Sequence, residues 1–363
     1  FPAIGAWALW LTFGLQAKTS KPFPFEADSP PHPGPTRVLQ LTRTLGLALL
    51  VSLTALAPGA RLLATFAPPR LRVPTNLPTA CETRVMTYGG KARLLCTDVS
   101  PARVPVEGTI EVTGCWQAMS TMTQDYTVFI HLIDECTNRV VERHTYPGLG
   151  RLPTSLWPRD QAFCDVYRLT VESWADAPRV YRLEMGLFDA KTGERLPAVS
   201  AGDVVVDPPI IGSVSVIPEA WEAPAPDVTR DVTIGQFAHL IGFDAPTYAR
   251  AGETVTITLY WQAIATHPRD AVAFVHLWSP GQDKPWAQHD APPREGGYPT
   301  ASWVEGDIIA DPHPLTLPND LPPGRYPLWA GLYLRSDGRR LPALGPEGRL
   351  PYDLVPLGTI DIE

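Results

Sequence analysis

Charge is scarce in this sequence, and what there is does not favour the basic side. Only 19% of the 363 residues are charged, with 30 Lys and Arg against 38 Asp and Glu, for a formal net charge of −8. No Lys/Arg cluster interrupts that balance, so a nucleic-acid partner is excluded: phosphate binding needs a basic face. The sequence also lacks G-x-S-x-G, H-E-x-x-H, a Walker loop and C-x-x-C, which leaves no nucleophile or cofactor signature to argue from. Cysteine is sparse and lopsided. Cys81, Cys96, Cys115, Cys136 and Cys164 are all there is, and none follows residue 164. Beyond residue 75 no run carries the pattern of a long amphipathic helix.

What is abundant is proline and glycine, 41 and 28 residues, set in a chain that is 44% hydrophobic. The apolar content argues against disorder, and the prolines fall mostly between short apolar runs, as in many short strands joined by turns. A chain of this length holds two or three domains.

Two uncharged runs stand apart near the beginning. "FPAIGAWALWLTFGLQ" (1–16) is too short to span a bilayer unless its beginning is missing, and "TLGLALLVSLTALAPGA" (44–60) reaches spanning length when carried through Arg61 to Phe66. Neither shows a polar face, so helices at 1–16 and 44–66 are expected to be transmembrane, with buried or signal-like helices as the alternative. Opening on Phe1, the chain reads as an excised or processed piece. Arg37 and Arg43 precede the second run, and Arg61, Arg70 and Arg72 follow it, so positive-inside counting does not orient it. The expected organisation is a membrane remnant and linker at 1–74, a first β-sandwich at 75–210 and a second at 211–363. The bilayer is the partner expected of the first part, and the extracytoplasmic side of the cell membrane is the place expected of the rest.

The second half repeats the first. "CWQAMS" (115–120) returns as "YWQAIA" (260–265), so Trp116 corresponds to Trp261 (261 − 116 = 145). "VFIHL" returns as "AFVHL", "PTSLW" as "PTASW", and "YRLEMGLFDAKTGERLPA" as "YPLWAGLYLRSDGRRLPA", in order and at almost constant spacing. Ordered landmarks at fixed spacing indicate a tandem duplication. In "GETVTITLYW" the residues Val255, Ile257, Leu259 and Trp261 alternate with threonines and Tyr260, the mark of a strand with one buried face. "DAKTG" and "RSDG" read as hairpin turns. The fold expected is mainly β: tandem immunoglobulin-like sandwiches behind one or two membrane helices.

Candidate sites follow from the repeat. His131 and His144 flank one turn, His276 and His289 the equivalent one, and in a regular hairpin each pair is opposed and shares a face. Such a pair is expected to make structural hydrogen bonds. A sugar-contact surface and a zinc site are the alternatives, the latter short of an obvious third ligand. Trp157 and Trp303, after the "PTS/PTA" loops, either plug the ends of the sandwiches or serve with Tyr298, His276 and His289 as sugar contacts. Trp116 and Trp261 are expected in the core; Trp174, Trp221, Trp278, Trp286 and Trp329 have no counterpart that forces a ligand reading. Asp165 and Asp311 recur as turn caps, since one carboxylate per unit makes no glycosidase pair. Cys136 and Cys164 are both missing from the second unit, which suggests a bridge between them, with Cys81–Cys96 as a second; Cys115, in the place of Tyr260, is left free. Five cysteines leave other pairings open, and any pairing points to an oxidising compartment. No cofactor or metal is expected.

"FPAI" opening an apolar run, a last helix ending in "FAPP", then "LYWQA", "FVHL", "AQHDAPP", "GGYPTASW", "LPPGRYPLWAGLY" and "RRLPA" resemble the C-terminal portion of bacterial membrane proteins of the dolichyl-phosphate-mannose/ArnT-type glycosyltransferase superfamily. The phrases cover much of residues 105–345. The resemblance implies a multi-span body that carries the chemistry on acidic residues of an early external loop, with sandwiches appended outside the membrane. Nothing in residues 1–74 maps onto the start of that body, and Glu26 and Asp28 do not take its acidic role. The expectation is therefore a non-catalytic appendage that acts as a spacer or holds a glycan or membrane-protein partner. The alternative is a carbohydrate-binding module at the cell surface. Any enzyme activity, such as polyprenyl-phosphate-sugar-dependent transfer, is expected of a longer parent.

Overall fold

Alternation sets the strands. In Thr254–Ala263 the residues Val255, Ile257, Leu259 and Trp261 are buried in turn while the threonines between them face out, as a period of two requires. The computed structural model describes residues 77–79 and 81–363. The runs at 1–16 and 44–66 lie outside the described residues, and among the described residues no helix is long and apolar enough to cross a membrane.

The first half holds β1 (Glu82–Tyr88), β2 (Ala92–Ser100), β3 (Arg103–Pro105), β4 (Thr109–Ala118), β5 (Thr127–Ile133), β6 (Arg139–Thr145), β7 (Ala162–Thr170), β8 (Arg179–Phe188), β9 (Ala198–Ser200), β10 (Val204–Val206) and β11 (Ile210–Ile217). The second holds β12 (Val228–Ile234), β13 (Ala238–Asp244), β14 (Tyr248–Ala249), β15 (Thr254–Ala263), β16 (Ala271–Leu277), β17 (Ala287–Ala291), β18 (Ile308–Thr316), β19 (Gly324–Leu334), β20 (Ala343–Gly345), β21 (Gly348–Arg349) and β22 (Val355–Ile362). Sheet order β10-β9-β1-β2-β4-β7 faces β3-β11-β8-β5-β6 in the first half, and the second half repeats both orders strand for strand. The short parallel pair is repeated too, β3 on β11 and β14 on β22. The duplication read from sequence is thus a duplication of topology.

Each pair of sheets closes on its own core. Trp116, Leu94, Val112, Ile130 and Leu183 pack in the first, and Trp261, Leu240, Ile257, Val275 and Leu332 in the second. β11 pairs with β8, and its Ile211, Val214 and Val216 are buried in the first core. The sandwiches therefore part at 218–227, not at the 210/211 boundary expected from sequence, which falls inside that strand. The "DAKTG" and "RSDG" segments are hairpin turns, with Gly193 at φ 76° and Gly338 at φ 69°, a region open to glycine. Pro327 lies in a central strand, but just past the end of the β16 ladder, where only its carbonyl is used, by the N–H of Trp278. Pro312 and Pro314 sit on β18, an edge strand, where a missing N–H is tolerated.

The disulfides correct one expectation and meet the other. Cys81–Cys96 forms as read. Cys164 is bonded to Cys115, not to Cys136, and Cys136 is a free, exposed thiol. Register narrows it: Cys115 on β4 faces both Cys164 on β7 and Cys96 on β2, and Cys96 is taken by Cys81, whereas Cys136 lies in the β5–β6 turn of the opposite sheet. The second sandwich has Tyr260 opposite Ala310 at the same place. The two bridges adjoin, with Cys81 Sγ 3.9 Å from Cys115 Sγ.

Candidate functional site

The repeated Pro-Thr-x-x-Trp segment resolves into a plug. Thr154 Oγ1 accepts the N–H of Tyr126 at 2.9 Å, and Thr300 Oγ1 that of Ala271 at 2.8 Å, so the loop is tied to the head of the next sheet. The tryptophans that follow turn inward. Trp157 is 5% and Trp303 1% exposed. Each indole N–H is donated to a loop carbonyl, Leu152 at 2.9 Å and Tyr298 at 3.0 Å. Buried in this way, neither ring offers a face to a sugar. Trp116 and Trp261 are fully buried, as expected of core residues. Asp165 and Asp311 cap the adjacent turns Pro147–Gly150 and Pro293–Gly296, accepting the N–H of Gly148 and of Arg294, each at 2.7 Å.

Tyr298, the other expected ligand contact, is absorbed into a joint between the sandwiches. Arg103 donates to Tyr298 Oη at 2.6 Å and to Asp307, and the Tyr298 hydroxyl donates to Asp307 Oδ2 at 2.7 Å. Burial, then the bond to Asp307, pushes the Tyr298 phenol well above its ordinary pKa. Alongside, Arg294 donates to Asp176 at 2.6 Å, the N–H of Val180 to the carbonyl of Gly297 at 2.7 Å, and Val180 packs on the second core. Arg179 binds both Asp176 and Glu135.

The histidine hairpins diverge. On the outer face of the first sandwich, Phe129 lies over Gly186, where a Cβ would come within 2.6 Å of its ring. His131 stacks on that ring at 5.1 Å, and His144 packs on Phe188 at 4.8 Å. His131 faces Glu142 on one side and Glu184 on the other, while His144 faces Phe129. The histidines are therefore diagonal neighbours on one face, not directly opposed. Their Nε2 atoms are 3.0 Å apart, Glu142 Oε1 lies 3.1 Å from His144 Nε2, and Glu184 Oε1 lies 2.6 Å from His131 Nδ1. Arg195 donates to both oxygens of Glu184. Burial pushes the Glu184 carboxyl up, but the bonds from His131 and Arg195 more than offset it and hold it below the usual range. Burial likewise lowers the His144 imidazole, against the pull of Glu142. The third ligand-type group that sequence reading missed is Glu142. It lies two residues before His144 and so on the same face of a strand.

The second hairpin is set one residue over. Phe274 faces Asp290 and Val275 faces His289, whereas Phe129 faces His144. A one-residue slip turns side chains to the other face, so His276 and His289 do not share a face, contrary to expectation. His276 stays outside and meets Asp290 at 2.9 Å. His289 turns in, 3.0 Å from His313, which meets Asp311 at 3.0 Å; the Trp261 indole also donates to Asp311, at 3.1 Å.

Outside, the second sandwich carries a groove of 490 Å³ along β16 and β19, lined by His276, Trp278, Gln282, Trp329, Arg340 and Tyr352. Trp329 occupies the position of Glu184, facing His276 as Glu184 faces His131. Its indole N–H is donated to the carbonyl of Trp278 at 2.8 Å, and that of Trp278 to Gln282 at 2.9 Å. Both rings are thereby fixed, and Tyr352, 80% exposed, forms the far wall. Fixed aromatic walls with a few converging polar groups are what a small-ligand site needs. Of the expected ligand contacts only His276 lines it. Nothing in the spacing of Trp278 and Trp329 showed that they meet, because that depends on which strands pair.

No protein-family profile matches the chain, and no curated protein matches it. Among solved structures it is similar to a crystal structure from Corynebacterium diphtheriae described as a membrane anchored protein, at 12% identity and a TM-score of 0.18. The match covers 74% of this chain and spans 61% of that one.

Proposed function

We propose that the tandem sandwiches are a non-catalytic, extracytoplasmic appendage of a membrane protein, a stiff spacer that presents an interaction surface. The observation that carries this reading is the joint: Arg103, Tyr298 and Asp307, with Asp176 and Arg294 beside them, tie one sandwich to the other side chain by side chain. The Asp307 carboxylate is almost fully buried there, a setting in which charge-assisted bonds are strong and directional. Two domains joined only by a ten-residue linker would move independently; side-chain ties of this kind oppose that. Small-angle scattering is the test. A single compact-to-extended envelope independent of ionic strength is expected, and a distribution of inter-domain distances would retire the spacer. Transferase activity in residues 75–363 alone would refute the non-catalytic part.

The membrane attachment rests on the apolar runs at 1–16 and 44–66, and the link to a glycosyltransferase-like parent on the repeated phrases of the sandwiches. Protease accessibility in intact cells tests the first: cleavage of the β domains from outside is expected, and protection overturns it. A second reading, a carbohydrate-binding module, is favoured by one observation, the Trp278–Trp329–Tyr352 groove. It moves the binding surface from Trp157 and Trp303 to those residues. Calorimetric glycan binding lost in Trp329→Ala supports it. Binding unaffected by Trp278→Ala and Trp329→Ala ends it.

A further inference from the structure

We propose that the outer face of the first sandwich is a site for one divalent transition-metal ion of the zinc class, held by His131 Nε2, His144 Nε2 and Glu142. Two imidazoles and a carboxylate are a usual ligand set for such ions. Their ligand atoms lie mutually within 4.8 Å, with 3.0 Å between the two nitrogens and 3.1 Å from His144 Nε2 to Glu142 Oε1. Ligands about 2.1 Å from a metal stand roughly 3.0–3.4 Å apart for angles between square and tetrahedral, which two of the three separations already match; the exposed Glu142 side chain has the freedom to close the third.

The shell behind the ligands points the same way. Glu184, buried, takes the Nδ1 side of His131, which leaves the Nε2 lone pair turned toward His144. A carboxylate on the far nitrogen fixes the tautomer and raises the basicity of a metal-ligating histidine. Arg195 in turn holds both oxygens of Glu184, and Phe129 and Phe188 fix the two rings. His144 and Glu142 are partly exposed, with side chains 39% and 45% accessible, so an ion enters from solvent and keeps an open position for water. The second sandwich cannot build this site. Its Trp329 replaces Glu184, and its register turns His289 away from His276.

Among the described residues the other cluster with ligand spacing, Cys81, Cys96 and Cys115, is consumed by the two disulfides. The experiment therefore uses the full chain with disulfides intact, Cys136→Ser, and no metal-affinity tag. Zn²⁺ alone is titrated calorimetrically against a competing chelator, and Co²⁺ is used to read the ligand field. One equivalent per chain is expected. Glu142→Gln and His144→Gln, at accessible positions that leave the core intact, should each weaken binding by at least tenfold, and Glu184→Gln by about 10–100-fold. His289→Gln should change nothing. No stoichiometric zinc, or the same affinity in His144→Gln, overturns the proposal. Loss of binding on His289→Gln would also overturn it, by placing the ion in the second sandwich.

Discussion

In the first sandwich His131 lies between Glu142 and Glu184, while in the second the equivalent His276 lies between Gln288 and Trp329. Strand order, parallel pair, plug loop and turn caps are the same in both. Duplication has therefore kept the scaffold, while the hairpin's outer face and the direction of its second histidine differ. Inside, changing a side chain costs packing; on the outer face His131 and Glu184 are buried too, and only the rim residues Glu142 and His144 are exposed enough to change at little cost. A register slip of one residue, with a bulge between Leu132 and Ile133 in the first hairpin only, takes the second histidine off that face; Trp329 in place of Glu184 and Trp278 in place of Ile133 supply the aromatic groove.

The likeness is broken most severely at the plugs. Trp303→Ala should destabilise the second sandwich by about 3–5 kcal/mol, and Trp157→Ala the first by a similar amount. Calorimetry resolves which transition moves; a much smaller loss at Trp157 would mean that the plug is not shared. Next comes the covalent difference. Cys115→Ser with Cys164→Ser should cost the first sandwich about 2–4 kcal/mol and leave the second, which has no cysteine, unchanged. Scans with and without reductant check it, and equal shifts in both transitions would speak against two cores.

Smaller effects lie at the joint. Arg103→Ala removes two charge-assisted bonds and should cost about 1–3 kcal/mol, read as faster hydrogen exchange of Val180 and of the Tyr298–Asp307 loop; exchange unchanged there would show the contact to be slack. Smallest is the pH effect at Asp176. Burial raises its carboxyl, but the charge of Arg294 and the bonds from Arg179 and Arg294 more than offset that and hold it below the usual 3.8. A lowered acid contributes stability that is present above its unfolded value and lost as pH falls through its folded one. The joint should thus loosen only below about pH 4, visible by scattering in an acid titration. Loosening near neutrality would contradict it.

The repeat, the strand faces and the all-β class were legible because spacing and a period of two survive in the sequence itself. "TVTITLYW" shows its buried face without a structure. The plug was half legible: "PTSLW" and "PTASW" marked a shared loop, but only burial separates a plug from a stacking platform. Register was not legible. The separation of 13 residues is the same in His131/His144 and His276/His289, yet the bulge at Leu132/Ile133 decides which face each second histidine takes. The Cys115–Cys164 bridge was hidden for the same reason. Absence from the second copy pointed to Cys136, whereas the strand pairing puts Cys115 beside Cys164 and Cys96, and Cys96 is already bonded to Cys81. Glu142 needed less: a residue two before a histidine on a strand shares its face.

Interstrand backbone contacts measured by NMR test the central claim, that one scaffold carries two hairpin registers. Phe129 is expected opposite His144 but Phe274 opposite Asp290, with a contact between imidazole protons of His131 and His144 and none between His276 and His289. The same register in both hairpins, with both histidine pairs in contact or neither, would contradict it.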